Sequence, residues 1–209
     1  MPKFNRKMKS LKIISMAACC AAALVFNACT ENDSPKSLTK EEVKAAFETV
    51  KGTYKGSVIF PATNPKNAKD VTDTLDVNWT IATDSVMTID NLPAQALVPA
   101  ISDEALGKAL AQQQAQSMKC YIGFYSVSPA CFLINPKGLT YKFAYGTEKK
   151  EHDVVVAFYV NNSGSLGAYN ATNKTLQMQI VAGGVYIDGK LQPRLIKKAT
   201  PLLFKATKK

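Results

Sequence analysis

Leu75-Asp76-Val77-Asn78-Trp79-Thr80-Ile81-Ala82-Thr83-Asp84-Ser85-Val86-Met87-Thr88-Ile89 is the stretch on which the fold turns. Leu75, Val77, Trp79 and Ile81 alternate with Asp76, Asn78 and Thr80, and Met87 and Ile89 resume the alternation after a short turn at Thr83-Asp84. Successive side chains of a strand point to opposite faces, so this is a hairpin with one dry face and one wet face. The same pattern recurs outward. Leu139, Tyr141, Phe143 and Tyr145 alternate with Thr140, Lys142 and Ala144, and a polar turn over 147–151 leads into a strand over 152–160. Asp188-Gly189, between two apolar runs, suits the two positive-φ positions of a type I′ turn. Further strands are expected over 53–60, 120–127, 130–134, 176–182 and 202–205.

Two helices complete the inventory. Thr39-Lys40-Glu41-Glu42 spells a capping box, and Val43, Ala46, Phe47 and Val50 then recur at helical spacing up to a stop at Gly52. The second starts with Ser102 as its cap, carries Asp103 and Glu104 in its first turn, and sets Ala105, Leu106, Ala109 and Leu110 on one side. Its glutamine-rich end, 112–116, is expected to be exposed. Roughly ten short strands at hairpin spacing with two helices predict an α+β chain, mainly antiparallel, built as a sandwich or a barrel.

The first thirty residues speak of address. Lys3, Arg6, Lys7, Lys9 and Lys12 precede an apolar run from Ile13 to Val25 broken only by Ser15. That run is 13 residues long, whereas a membrane-spanning helix needs about 20; it reads as the core of a signal peptide. Phe26-Asn27-Ala28-Cys29 follows and resembles a lipobox, with Ala28 the small residue before the cleaved bond. Phe26 and Asn27 depart from the usual spelling. Met16-Ala17-Ala18-Cys19 is closer in spelling, but cleavage there leaves an apolar core of only about six residues, below the usual 7 to 15. The reading is therefore a signal peptide over 1–28, a lipidated tether over 29–38 starting at Cys29, and one globular domain over 39–209. Thr30, where inner-membrane lipoproteins carry Asp, implies the outer membrane, on its periplasmic or cell-surface face. Glu31 and Asp33 resemble short acidic surface-export signals.

Charge has to be counted after that cleavage. The formal +10 of the whole chain falls to +5 once the five basic residues of the leader are removed, and an exported address excludes chromosomal nucleic acid as a partner. The excess sits in 193–209, where Arg194, Lys197, Lys198, Lys205, Lys208 and Lys209 face no acid in sequence. Such a segment reads as a solvated strand and tail, or as a contact with anionic lipid at about 1 kcal/mol per basic residue.

Candidates for chemistry are few. The one histidine, His152, lies at the start of an expected strand with neither a nucleophile elbow nor an activated-cysteine context, so it reads as a strand-edge residue. One His and two further Cys give no zinc spacing, and Asp70, Asp73 and Asp76 lack the Gly and terminal Glu of a calcium loop. No metal or cofactor is expected. Glu104, Glu148 and Asp153 are available to a glycan hydrolase, whose paired carboxylates are recognised only by geometry. Gly164, Gly167, Gly183 and Gly184 match no phosphate loop and read as turns and strand ends. Tyr121, Phe124 and Tyr125, and the stripe Tyr141, Phe143 and Tyr145, read as core or as the lining of an apolar pocket. Cys120 and Cys131 form a candidate disulfide in an oxidising compartment, although a turn at Ser128-Pro129 does not set them opposite each other.

The opening helix, Gly52-Thr53-Tyr54-Lys55-Gly56, Val185-Tyr186-Ile187-Asp188-Gly189-Lys190 and Pro201-Leu202-Leu203-Phe204 together resemble a family of small Gram-negative outer-membrane lipoproteins known only as a domain of unknown function. The helix followed by Gly-Thr-Tyr-Lys-Gly is also similar to calycin-like, lipocalin-type lipoproteins. The resemblance implies no catalytic residue. The functional expectation is a non-enzymatic, lipid-anchored binding or interaction module with an envelope partner. The alternatives are a carrier of a small apolar ligand and a carboxylate-dependent glycan hydrolase.

Asp73-Thr74-Leu75 and Asp84-Ser85-Val86 resemble the acceptor of bacterial envelope O-glycosylation, with Thr74 and Ser85 as candidate sites. A glycan is bulky, so occupancy requires those hydroxyls to face water. The expected outcome is a larger intact mass for protein from its native host than for the same chain from a host lacking that system, and a smaller difference in Thr74→Ala or Ser85→Ala. Equal masses exclude the modification.

Overall fold

The computed structural model describes residues 37–63 and 71–207. Cys29, the leader before it and most of the tether lie outside the described residues. The hairpin is present: β2 (Thr72–Ile81) and β3 (Val86–Leu92) pair Trp79 with Ile89 and Ile81 with Met87, and all four side chains are buried. Between them, the amides of Ala82 and Thr83 donate to the Val86 carbonyl. β1 (Gly52–Pro61) runs the whole length of β2, from Gly52 opposite Ile81 to Pro61 opposite Thr72.

The remaining strands are β4 (Gln116–Val127), β5 (Ala130–Pro136), β6 (Leu139–Ala144), β7 (Glu151–Phe158), β8 (Leu166–Asn170), β9 (Thr175–Ile187), β10 (Lys190–Leu191) and β11 (Thr200–Thr207). All pairings are antiparallel, and the order β11-β1-β2-β3-β4-β5-β8-β9 returns to β11, because β11 also pairs with β9. This is a closed eight-stranded barrel. Of the two architectures that the sequence allowed, closure selects the barrel, since none of its eight strands is left with an unpaired side.

Off the ring, the second half of β9 carries an extension. β7 pairs with it from Val154 opposite Ile187 to Phe158 opposite Ala182, and β6 pairs with β7. Asp188 and Gly189 stand at φ 48° and 77° in the turn to β10, the two positive angles of a type I′ turn.

The first helix packs on the barrel strands, and the second on the 3₁₀ helix before it and on β6. α1 (Lys40–Val50) has its capping box, with the Thr39 amide donating to Glu42 Oε2 at 2.7 Å and the Glu42 amide donating to Thr39 Oγ1 at 3.2 Å. It buries Ala46 and Val50 and packs against β4 and β5. α2 (Glu104–Ala111) is capped by Asp103, whose carboxylate accepts from the Leu106 amide at 2.7 Å. The expected cap, Ser102, is instead outside the helix and donates its hydroxyl to the Arg194 carbonyl. A carboxylate one residue closer to the amides at the helix start displaces the hydroxyl. Before α2, a 3₁₀ helix over Ala94–Ala100 buries Ala94, Ala96, Leu97 and Ala100 against β1, β9 and β11.

Large rings fill the barrel. Tyr54 stacks on Trp79 at 5.6 Å between centroids, Phe204 meets Trp79 edge-on at 6.1 Å, and Phe124 meets Phe132 at 5.4 Å. Gly164 lies in a turn as expected, whereas Gly167, Gly183 and Gly184 lie within strands, and at Gly167 and Gly183 the missing Cβ leaves room for a neighbouring ring. Gly167 lies inside β8, where a Cβ would stand 2.4 Å from Phe132 Cζ; Gly183 lies inside β9 beneath the Tyr159 ring. β8 has no strand pattern in the sequence, because Leu166-Gly167-Ala168-Tyr169-Asn170 carries only two large apolar residues and a glycine.

Gly167→Ala is expected to destabilise the domain by about 1–3 kcal/mol through overpacking. In a Phe132→Leu background the added loss is smaller, because the methyl then meets open space. Urea midpoints of the four proteins give the coupling, and strict additivity refutes this account of Gly167.

Candidate binding groove

The β1–β2 end of the barrel and the segment joining β3 to α2 bound a groove of about 730 Å³. Register explains its position. β1 ends at Pro61 opposite the start of β2, and β3 ends at Leu92 on the same rim, so the chain from Pro93 to Ala111 folds back over that mouth. Phe60 and Leu75 supply the barrel wall, and Pro93, Val98 and Ile101 supply the facing wall. Asp73, Thr74, Ser102, Asp103, Glu104 and Lys108 bring charge and hydroxyls to the lining. An apolar lining with a few convergent polar groups is the usual character of a ligand site.

Electrostatically the groove is acidic. The Lys108 ammonium is engaged with Glu104 at 2.6 Å, and its hydrogen bond holds the Glu104 carboxyl below the ordinary carboxylate range. Asp103 is committed to capping α2, and Asp73 is exposed on β2. The groove thus offers more carboxylates than ammonium groups.

The expected site residues fall in different places. Glu104 lines the groove, but Glu148 is exposed in the turn after β6, and Asp153, on β7, gives its amide to Asp188 Oδ1 at 3.1 Å. His152 is more than a strand-edge residue: its Nδ1 meets Asp188 Oδ2 at 2.8 Å, and its ring lies 5.5 Å from that of Tyr145. The hydrogen bond from His152, then that from the Asp153 amide, holds the Asp188 carboxyl below its ordinary value. Both oxygens of Asp188 are therefore used to clasp the turn it belongs to onto β7. Tyr141 and Phe143 are buried, with Tyr145 half-buried beside them. Their stripe is core. Thr74 and Ser85 are both exposed, Thr74 in the groove lining and Ser85 in the β2–β3 turn. Arg194, Lys197, Lys198 and Lys205 are exposed.

The disulfide is not formed. Cys120 and Cys131 are both buried and not bonded to each other, and the register sets Cys120 opposite Pro136 but Cys131 opposite Ser126. Six positions along β4 separate those rungs, about 20 Å at strand rise, far beyond the reach of a disulfide. The Ser128-Pro129 turn makes β4 and β5 close neighbours without making these two residues partners.

The segment Pro93–Ile101, which supplies one wall of the groove, carries little in the sequence to mark it. Its signal was an apolar run, Ala94-Gln95-Ala96-Leu97-Val98-Pro99-Ala100, too short and too proline-bound for a helix of its own and without strand alternation.

A closed antiparallel barrel with a groove at one covered rim is a scaffold that many unrelated functions share. A family model described as a domain of unknown function, DUF4840, matches residues 49–187 of the chain. The protein belongs to that family. The match runs from the end of α1 to the end of β9, so β11, which closes the ring, lies beyond it. No curated protein matches the chain.

Burial pushes the Cys120 thiol up to about 12 from its ordinary 9.0. Below the ordinary value it is neutral folded and unfolded alike. Above it, the unfolded chain loses this proton while the fold keeps it, so stability falls as pH rises towards 12. Wild-type protein is expected to lose more stability than Cys120→Ala between about pH 8 and pH 10.5. With reductant omitted throughout, a maleimide is expected to spare Cys120 and Cys131 in the native protein and label both after denaturation. A mass showing the two joined overturns the separated register.

Proposed function

We propose that the protein is a non-enzymatic binding module anchored through lipid at Cys29 to the outer membrane, and that the groove at the covered rim is where it takes its ligand. The observation that carries the reading is the groove itself: an apolar floor of about 730 Å³ with carboxylates in its lining. The Phe26-Asn27-Ala28-Cys29 sequence supports the anchor, because a cysteine after a small residue and an apolar run is the acylation signal that it resembles. Two or more acyl chains hold a protein at a bilayer stably where one does so only marginally.

Binding is favoured over glycan hydrolysis by the state of Glu104. A general acid needs a carboxyl whose pKa is raised, and Lys108 moves this one the other way. A carrier of a small apolar molecule is the second reading. It would use the same rim groove, since Tyr54, Trp79, Phe132 and Phe204 occupy the barrel interior.

Wild-type protein is expected to incorporate radiolabelled palmitate and partition into detergent, and Cys29→Ser to do neither. Palmitate still entering that variant refutes the anchor. For the groove, Val98→Trp fills the space between the walls without touching the barrel core. It is expected to weaken, by about tenfold or more, whatever small amphiphile a solution screen finds for wild type, with the unfolding midpoint kept. Undiminished affinity in a folded Val98→Trp protein moves the site elsewhere.

A further inference from the structure

A second site stands on the outer face of the barrel, away from the groove. Lys119 on β4 and Lys137 just after β5 are direct neighbours, the Lys137 amide donating to the Lys119 carbonyl at 2.9 Å. Both ammonium groups reach the same ring: Lys119 Nζ lies 5.2 Å and Lys137 Nζ 5.6 Å from the centroid of Tyr121. Tyr121 is one of the few large side chains left exposed, at 45%. Among the described residues, ion pairs form at Lys51, Lys108, Lys142 and His152, and neither Lys119 nor Lys137 is in one.

Like charges placed opposite each other across two strands destabilise a sheet. Here two of them share one aromatic ring, which offsets part of the repulsion by cation–π attraction but leaves the pair with no counter-anion. The rung that ends at these lysines is polar along its length. Thr53, Thr80, Thr88 and Lys119 are successive cross-strand partners on β1 to β4, and the Thr53 and Thr80 hydroxyls are 3.2 Å apart. Their inward neighbours Tyr54, Trp79, Ile81, Met87 and Ile89 are buried, so this row faces outward.

We propose that this face binds an anionic glycan. A carboxylate or sulfate on the sugar chain sits between Lys119 and Lys137, whose two ammonium groups can both donate charge-assisted hydrogen bonds to its oxygens. The exposed ring and hydroxyl of Tyr121 pack against the adjoining sugar, an aromatic edge with a polar handle suited to a surface both apolar and hydroxylated. The threonine row supplies hydrogen-bonding hydroxyls to the sugars that follow. Charge alone does not account for the arrangement, because the more basic segment from Arg194 to Lys198 carries no exposed aromatic ring. The inference is independent of what occupies the groove.

The test uses purified full-length protein, dextran sulfate as the probe, neutral dextran of equal length as the control polymer, and vesicles rich in phosphatidylglycerol as the competing anionic surface. Wild type is expected to bind dextran sulfate at physiological salt and not dextran. The pair Lys119→Gln with Lys137→Gln is expected to weaken binding at least about tenfold, and Tyr121→Ala several-fold, whereas Lys197→Gln with Lys198→Gln changes it by less than about twofold. Removing two repelling charges does not threaten the fold, and the unfolding midpoint of each variant checks this. The proposal is overturned if wild type ignores dextran sulfate, or if Tyr121→Ala binds as well as wild type. It is equally overturned if the Lys197 and Lys198 pair loses as much as the Lys119 and Lys137 pair, or if vesicles bind and dextran sulfate does not.

Discussion

Everything in this fold hangs on β11 lying between β1 and β9. Without it, β1 would show a row of unpaired amides and carbonyls along Ser57 to Ile59, and β9 another along Thr175 to Ala182. Such edges invite pairing with other chains. β11 satisfies both at once, and it turns an open antiparallel sheet into a ring with an inside. Tyr54 and Trp79 are already cross-strand partners on β1 and β2, and β11 then brings Phe204, from the far end of the chain, edge-on to Trp79. The constraint is topological first and hydrophobic second: pairing sets the circle, and the circle sets which side chains must fill it.

An eight-stranded barrel has an interior just wide enough for side chains to fill or for one small ligand. In this protein side chains fill it, and the fit shows in the glycines. Inside the barrel the Trp79 ring presses on Gly56 and the Phe132 ring on Gly167, while on the outer surface the exposed Tyr159 ring covers Gly183. Interiors pack as densely as organic crystals, so a methyl at any of these positions needs a neighbour to move. With the centre occupied, space for a ligand is displaced to the rim. There the chain between β3 and β4 has to be long enough to cross the mouth, and its 3₁₀ helix and α2 leave the groove against Phe60 and Leu75.

The charged residues divide along the same geometry. Carboxylates gather in the groove lining, with Glu104 neutralised in part by Lys108, whereas Lys119 and Lys137 stand on the outer wall without acids of their own. The one histidine is spent on structure, since Asp188 uses it to fasten the β9–β10 turn to β7.

Local order was legible in the residues themselves. The period-two alternation of β2 and β3, the Thr39 capping box and the positive-φ pair Asp188-Gly189 each follow from contacts within a few positions, where chain geometry leaves few choices. The antiparallel class and the core nature of Tyr141 and Phe143 came from the same source. Tertiary structure alone decided between sandwich and barrel, because closure depends on β11 reaching β1, a contact spanning most of the chain. It also decided the glycines of β8 and β9, whose role exists only once Phe132 on β5 and Tyr159 just after β7 arrive beside them. The separation of Cys120 from Cys131 is a matter of register, and the groove is a matter of a connection folding over a mouth. Alternation tells a residue which face it is on, but not which residue stands opposite, and the meeting of Lys119 with Lys137 is decided only by that register.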